Sequence, residues 1–472
     1  MNKDHYLGQK GYTLYKSQLD ANELRFIKST LTVKPNMSIG ISNNIESFPI
    51  YRECANKIYV PRFFGVKQFG EPNITKLSPG LEINVKFTGT MRDYQENIVK
   101  KYINHIDNIN GGGGLLDISP GRGKTVMALK IIEQLKVKTL VIVHKTFLLN
   151  QWIERINQFL PNAKVGKIQG EIIDIENKDI VIGMLQSLSM KDYYIGMFKE
   201  FGLCIYDEVH HLSAQVFSQT MMKIVTKYSL GLSGTMTRKD GLSKVFKMFL
   251  GDVFHKELLK TNNNVNVRLY KYEVNDDDFN EVLYDFRGNP LYSSMISKLC
   301  NYNRRTEFIL EILKKILDEN QSQQILILGH NRNLLHYLFD AIIDRNIGSV
   351  GYYLGGMKEA QLKESENKKI IIATYSMASE GLDIKTLSTL IMATPKTDIC
   401  QSVGRILRTN DHDPLIIDII DSHKIFQNQF NKRNQYYKKN DYNIIKMNFK
   451  KPSKKTQKQD DFENNKICLF NI

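Results

Sequence analysis

Ser119-Pro120-Gly121-Arg122-Gly123-Lys124-Thr125 follows the aliphatic run at 115–118 and leads without a break into a helix-patterned stretch at 126–135. Strand, glycine loop and helix in that order build a phosphate cradle. Glycines let backbone N–H groups approach phosphate oxygens, and the N-terminus of the following helix adds a favourable dipole. Lys124 is then placed for β and γ phosphates and the Thr125 hydroxyl for Mg²⁺, with Ser119, Pro120, Gly121, Arg122 and Gly123 as the cradle itself. The first glycine of the general Gly-x-x-x-x-Gly-Lys-Thr pattern is replaced by Ile118.

Outward from this loop, short β-branched or aliphatic runs alternate with amphipathic stretches, the mark of a parallel sheet covered by helices. Strands are predicted at 115–118, 140–144, 180–183, 203–207 and 229–233, with helices at 126–135 and 147–159. Together they make 91–240 one α/β domain. A second alternating set, with strands at 325–329, 350–354, 370–374, 389–393 and 415–419 and helices at 304–318 and 334–345, makes 301–430 another. Residues 1–90 read as a small β-containing module and 241–300 as a connecting segment. Residues 431–472 form a basic tail, in part disordered, whose lysines are interleaved with Tyr436, Tyr437, Tyr442 and Phe449.

Asp207-Glu208-Val209-His210 ends the strand at 203–207. A carboxylate at the C-terminal edge of a parallel strand, near a phosphate loop, is placed to hold Mg²⁺, and a neighbouring carboxylate can orient an attacking water. Asp207 takes the metal role with Thr125, and Glu208 the water-activating role. His210 and His211 lack the further ligands a zinc site needs. In the second domain, Gln401-Ser402-Val403-Gly404-Arg405-Ile406-Leu407-Arg408 puts Gln401, Arg405 and Arg408 on neighbouring helical faces. Alone it reads as an exposed salt-bridge stripe. After a phosphate loop in the preceding domain, it reads as a pair of cations for a phosphate.

The chain has 472 residues with 65 Lys and Arg against 50 Asp and Glu, a net charge of +15, and a hydrophobic fraction of 42%. That is enough apolar material for two large cores, and the charge favours polyanionic partners such as nucleic acid. The five cysteines are scattered without a Cys-x-x-Cys pair, so a reducing intracellular compartment is expected. Met1 to Lys10 is polar and the apolar runs are far too short to span a bilayer, so no membrane partner is expected.

Taken in order, these strings resemble superfamily 2 helicases from Arg92 to Arg408. Arg92-Asp93-Tyr94-Gln95 resembles the adenine-reading motif, which implies that Gln95 contacts the base. The loop from Ser119 to Thr125 resembles motif I, where the first glycine is often absent. Residues 143–152, ending in Gln151-Trp152, resemble motif Ia, and Asp207 to His210 is a DEVH form of motif II. Residues 232–238 resemble motif III, with Gly234 where alanine is usual and Met236 where proline is usual. Residues 378–383 resemble motif V, implying that Gly381 and Asp383 face the nucleotide. Residues 401–408 resemble motif VI, with a glutamine start that resembles the DEAH-like and XPB-like branches more than the DEAD-box branch. The arrangement is most similar to helicases of large DNA viruses and phages, the poxvirus transcript-release type among them.

The resemblance implies two tandem RecA-like domains of the P-loop NTPase class that bind ATP and Mg²⁺. Lys124, Asp207, Glu208, Gln401, Arg405 and Arg408 would be the catalytic set. Nucleic-acid contacts fall at Lys145, Thr146, Gln169, Gly170, Gln186, Ser187 and Thr374. The implied activity is ATP-driven movement along, or unwinding of, DNA or RNA. Transcription machinery is an implied partner, and a viral chain would work in host cytoplasm or travel in the virion. The alternatives are a nucleic-acid-stimulated ATPase that remodels complexes without separating strands, and an RNA helicase of viral mRNA metabolism. A binding scaffold without turnover would have lost Lys124 or the Asp207-Glu208 pair, and a metabolic phosphate-loop kinase has no use for the second domain.

Overall fold

The computed structural model describes residues 4–35, 46–106, 110–119, 121–194, 196–208, 214–234, 242–257, 264–380, 382, 384–407 and 413–447. The chain divides into two compact units, Met1–Leu259 and Lys260–Ile472.

The first unit is built on an eight-stranded sheet in the order Ile172–Ile173, Val165–Gln169, Ile180–Met184, Thr139–Val143, Leu203–Tyr206, Tyr228–Ser233, Gly112–Asp117, Val253–Lys256. Its neighbours run parallel except at the short terminal hairpin between Val165–Gln169 and Ile172–Ile173. The inner strands are buried along their whole length. That burial on both faces is why they read in the sequence as unbroken aliphatic runs rather than alternating ones. Helix Lys124–Leu135 buries Met127, Ala128, Leu129, Ile131 and Ile132, and helix Thr146–Phe159 buries Leu148, Leu149, Trp152 and Ile156. Both show the stripe of a helix laid on a sheet.

The strand leading to the phosphate loop begins earlier than the sequence predicts, at Gly112 rather than Leu115. Its glycines are there for close approach. A Cβ on Gly113 would sit 2.1 Å from Ser229 Oγ, 2.5 Å from the Leu250 carbonyl oxygen and 2.9 Å from the Phe63 ring. Phe63 belongs to the N-terminal module, so the glycine run is where that module presses on the sheet.

The module carries a five-stranded sheet, ordered Arg52–Glu53, Lys57–Val60, Gly11–Tyr15, His5–Gly8, Ile74–Thr75. Leu7, Tyr12, Leu14, Ile58 and Val60 from one face are buried in one core with Ile27 of helix Ala21–Thr30 and Phe64 of helix Arg62–Phe69. Arg62 fastens the module to the rest of the unit, donating to the Lys227 carbonyl at 2.8 Å and the Asn110 carbonyl at 2.9 Å.

The second unit holds a seven-stranded, all-parallel sheet in the order Val350–Tyr353, Ile370–Thr374, Gln324–Gly329, Leu387–Met392, Leu415–Asp421, Asn266–Tyr272, Asn443–Met447. Strand Asn266–Tyr272 lies within the stretch expected as a connection, and strand Asn443–Met447 within the stretch expected as a tail. Between the last two strands of the chain runs helix Lys424–Lys439. Arg433 of that helix, 1% exposed, forms a two-pronged pair with Asp418, Nε to Oδ2 and Nη2 to Oδ1 both at 2.8 Å, while the Tyr437 hydroxyl donates to Asp418 Oδ2 at 2.9 Å. Tyr437 and Tyr442 are therefore core residues. Residues from 448 onward lie outside the described residues. Among the described residues, no helix is long and apolar enough to cross a membrane.

Candidate functional site

The sequence-chosen residues of the first unit gather at the C-terminal edge of its parallel sheet, the edge at which open α/β sheets bind ligands. Strand Gly112–Asp117 delivers the loop, and helix Lys124–Leu135 begins at Lys124 with Gly123 as its N-cap. Gly121 and Gly123 have φ of +82° and +81°, in the left-handed region. That geometry turns the chain so that backbone N–H groups line a concavity. Thr125 is the second residue of the helix, and Ser119 is buried ahead of the turn.

Asp207 and Glu208 follow strand Leu203–Tyr206. The Lys124 ammonium pairs with Glu208 Oε1 at 2.9 Å, so the loop lysine and the second carboxylate meet directly. Glu208 has φ of +49°, unusual for a residue with a side chain. Asp207 is held differently. It is 7% exposed, and its Oδ2 accepts from the Trp152 indole N–H at 2.8 Å. Burial pushes the Asp207 carboxyl up to about 6, with the Glu208 charge acting in the same direction and Lys124, the indole N–H and His144 opposing. A buried acid beside a lysine ammonium is a ready oxygen donor for a hard divalent cation, which would displace the proton and hold the carboxylate ionised.

A clasp around the loop escaped the sequence reading. Gln95 donates its amide N–H to the Arg122 carbonyl at 3.1 Å and accepts from the Arg92 backbone N–H at 3.0 Å. The Tyr94 hydroxyl donates to the same Arg122 carbonyl at 3.0 Å, and the Arg122 guanidinium lies over the Tyr94 ring, 4.2 Å from its centroid. Arg122 is further paired with Glu257, Nε to Oε2 at 3.1 Å. Gln95 thus anchors the loop backbone, alongside the base contact expected of it. Glu257 gives no local signal, and the string at 143–152 marks Trp152 without marking its contact with Asp207. Glu257 lies 135 residues from Arg122, and the Trp152 contact spans 55.

Six of the expected strand-contact residues also converge. Gln169 Nε2 donates to Thr146 Oγ1 at 3.2 Å, and the Gly170 N–H donates to Ser187 Oγ at 2.9 Å, with Gln186 beside Ser187 on helix Leu185–Met190. Lys145 is the N-cap of helix Thr146–Phe159 and belongs to the same rim. In the second unit, Thr374 ends strand Ile370–Thr374, its hydroxyl 3.2 Å from that of Ser376. Gln401 lies on the short helix Cys400–Val403, and Arg405, 8% exposed, donates to the Leu382 carbonyl at 2.8 Å, joining the two strings that resemble motifs V and VI. Pro120, His210, His211, residues 235–238, Gly381, Asp383 and Arg408 lie outside the described residues.

Residues 88–238 match the family described as the res subunit of type III restriction enzymes, and residues 309–410 match the helicase conserved C-terminal domain. A protein of Acanthamoeba polyphaga mimivirus assigned as an ATP-dependent RNA helicase is 39% identical over 450 residues, covering 92% of this chain and 85% of the relative. One from Invertebrate iridescent virus 6, assigned as a helicase, is 26% identical over 435 residues, covering 90% of this chain and 96% of the relative. A third, assigned as an ATP-dependent RNA helicase of African swine fever virus, is 27% identical over 357 residues, covering 70% of this chain and 69% of the relative. With a helicase domain match in each unit and a relative this similar over nearly its whole length, the chain belongs to the superfamily 2 helicases and is related to those of large DNA viruses.

Proposed function

We propose that the loop from Ser119 to Thr125 holds the triphosphate of ATP and that turnover there drives movement along a nucleic-acid strand. The observation that carries this reading is the meeting of Lys124 and Glu208 at 2.9 Å beside buried Asp207 at one sheet edge. The enzyme hydrolyses ATP. Lys124 leaves Glu208 to meet the β and γ phosphates, and Glu208, released from that pair, orients the attacking water. Thr125 and Asp207 would hold Mg²⁺, which would supply positive charge to offset that of the phosphate oxygens. Trp152 keeps the Asp207 carboxylate turned toward the edge. Gln95 contacts the base, and the resemblance to motifs V and VI gives Gly381, Asp383, Gln401, Arg405 and Arg408 their expected roles toward ATP.

The strand rests on the rim made by Lys145, Thr146, Gln169, Gly170, Gln186 and Ser187, and Thr374 keeps the strand-contact role that the resemblance implies. Backbone contacts of this kind carry little sequence preference and weaken as salt rises. Two relatives assigned as RNA helicases of large DNA viruses favour RNA, and with it viral transcription, as the setting. Parallel ATPase assays with single-stranded RNA, single-stranded DNA and duplex DNA test this. RNA should stimulate turnover most, and turnover indifferent to all three polymers would refute a strand-driven motor.

A further inference from the structure

The face of the N-terminal sheet opposite its core has no role in the site above. In the register of the sheet Tyr6 pairs with Thr13 and Thr13 with Tyr59, while Tyr15 pairs with Lys57. Alternation therefore puts Tyr6, Tyr15, Lys57 and Tyr59 on one side, away from buried Leu7, Leu14, Ile58 and Val60. The Lys57 ammonium lies 5.3 Å from the Tyr6 ring centroid and 4.8 Å from that of Tyr15, Lys76 lies 4.4 Å from Tyr6, and Lys10 lies 5.3 Å from Tyr59. Tyr6 and Tyr15 stand 6.3 Å apart. Lys10 and Lys76 are exposed and the three rings are half-buried. The acid of this sheet edge, Glu53, is on the opposite alternation and is taken up by Lys16 at 2.6 Å and Lys28 at 2.8 Å.

We propose that this tyrosine and lysine face binds a segment of single-stranded nucleic acid, as a second grip separate from the rim of the α/β sheet. The inference rests on the reading that the chain works on nucleic acid, and extends it to the N-terminal module. Three rings interleaved with three ammonium groups match a polymer that alternates flat bases with anionic phosphates. A lysine over an exposed ring is a weak contact. A base that stacks on the ring releases the ammonium to a phosphate close by, so both partners of the present contact gain a better one. The Lys10 and Tyr59 end of the face also lines a cleft against the α/β part of the unit, bounded there by Met221, Met222 and Thr226. That cleft offers a strand a continuous path off the module.

The test uses the full chain and a fluorescein-labelled 20-nucleotide oligothymidylate, read by fluorescence anisotropy without nucleotide. Tyr6→Ala/Tyr15→Ala should weaken binding about tenfold, and Tyr6→Phe/Tyr15→Phe, which keeps the rings, should restore it. Basal ATPase activity and melting temperature should stay at their wild-type values in both. Ultraviolet crosslinking of the wild-type complex should mark peptides bearing Tyr6, Tyr15 or Tyr59, which decides the matter even where the alanine pair melts early. Unchanged affinity in a stable alanine pair overturns the proposal, as does crosslinking confined to other peptides. So does binding of a polyglutamate peptide that the alanine pair loses while strand affinity persists, which would assign the face to an acidic protein. If the oligonucleotide still stimulates ATPase activity in those cases, only this inference falls and the motor reading stands.

Discussion

The two α/β units use buried charge in opposite ways. In the first, two ion pairs at the sheet edge are only partly withdrawn from water. Lys124 and Glu208 keep 10% and 21% of their side chains exposed, and Arg122 and Glu257 keep 34% and 23%. In the second, Arg305 with Asp421 and Arg433 with Asp418 are shut away completely. Each of those guanidiniums makes two bonds to its carboxylate and a third to a carbonyl, Ala393 for Arg305 and Lys396 for Arg433. Burial alone would lower the Arg433 pKa, yet the facing Asp418 outweighs it and holds the group more firmly charged than in water. A charge that the proposed turnover sends to a new partner is left reachable. A charge that fixes a helix to a sheet is fully satisfied and cannot exchange.

The largest effect that separates these uses is on turnover. Lys124→Ala should lower ATP hydrolysis by about a thousandfold, since one preorganised charge at a reacting phosphate is worth roughly 10²- to 10³-fold or more. The same change should cost stability by no more than about 1 kcal/mol, because its lost ion pair is partly solvated. Arg433→Met should do the reverse. It leaves Asp418 buried beside an apolar side chain, with the Tyr437 hydroxyl as its remaining donor, and removing one partner of a buried pair costs about 3–5 kcal/mol. Urea unfolding measures both. A Lys124→Ala protein destabilised as much as Arg433→Met would erase the distinction between the units.

This contrast also marks what could be read from the chain. Inner strands such as Ile180–Met184 and Ile370–Thr374 were legible because burial on both faces leaves an aliphatic string that needs no context. Asn266–Tyr272 was not, since its lysine, arginine and asparagine belong to a strand near the sheet margin and its partners come from residues 415–421 and 443–447. The glycines at 112–114 were hidden by strand propensity, which disfavours glycine unless another chain segment presses close, as Ile106 does at Gly112 and Phe63 at Gly113. At the site, Lys124, Asp207 and Glu208 were legible from local order alone. Trp152, Glu257 and the anchoring of Arg122 by Gln95 depend on contacts made only after folding. A Tyr and Lys mixture reads alike whether its rings lie in a core, as Tyr437 does, or half-buried on a sheet face, as Tyr6 does.

A smaller effect concerns Asp207, which links the two kinds of charge because it is buried like Asp418 but lacks a guanidinium. Its carboxyl is pushed up to about 6 in the folded chain, against an ordinary value of 3.8. In that window the folded state holds more protons than the unfolded state, so the group's contribution is fully present below pH 4 and is lost as pH rises through 6. Asp207→Asn removes the penalty while keeping an oxygen for the Trp152 N–H. Without Mg²⁺ or nucleotide, the variant should therefore be more stable than wild type at pH 8 by up to about 3 kcal/mol. The gap should close on acidification toward pH 4. Equal stability at pH 8 would show that Asp207 is compensated as fully as Asp418 and that the first unit has no exchangeable buried acid.

The smallest effect probes whether the loop is pinned by its backbone or by its neighbours. A Cβ at Gly123 would lie 2.3 Å from Gln95 Nε2, and the position has φ of +81°. Gly123→Ala thus combines a left-handed residue, worth about 1–2 kcal/mol for a non-glycine side chain, with displacement of the amide that holds the Arg122 carbonyl. Gln95→Ala removes the obstacle and the anchor together. If the backbone dominates, the two changes should add, and Gly123→Ala should cost as much in the Gln95→Ala background as it does alone. If the Gln95 contact dominates, Gly123→Ala in the Gln95→Ala background should cost clearly less than it does alone. The non-additivity of this cycle measures the clasp directly. We expect it to be present, because the obstructing atom is the far end of a side chain already committed to two backbone groups, Arg122 and Arg92, and cannot swing aside without giving up at least one of them.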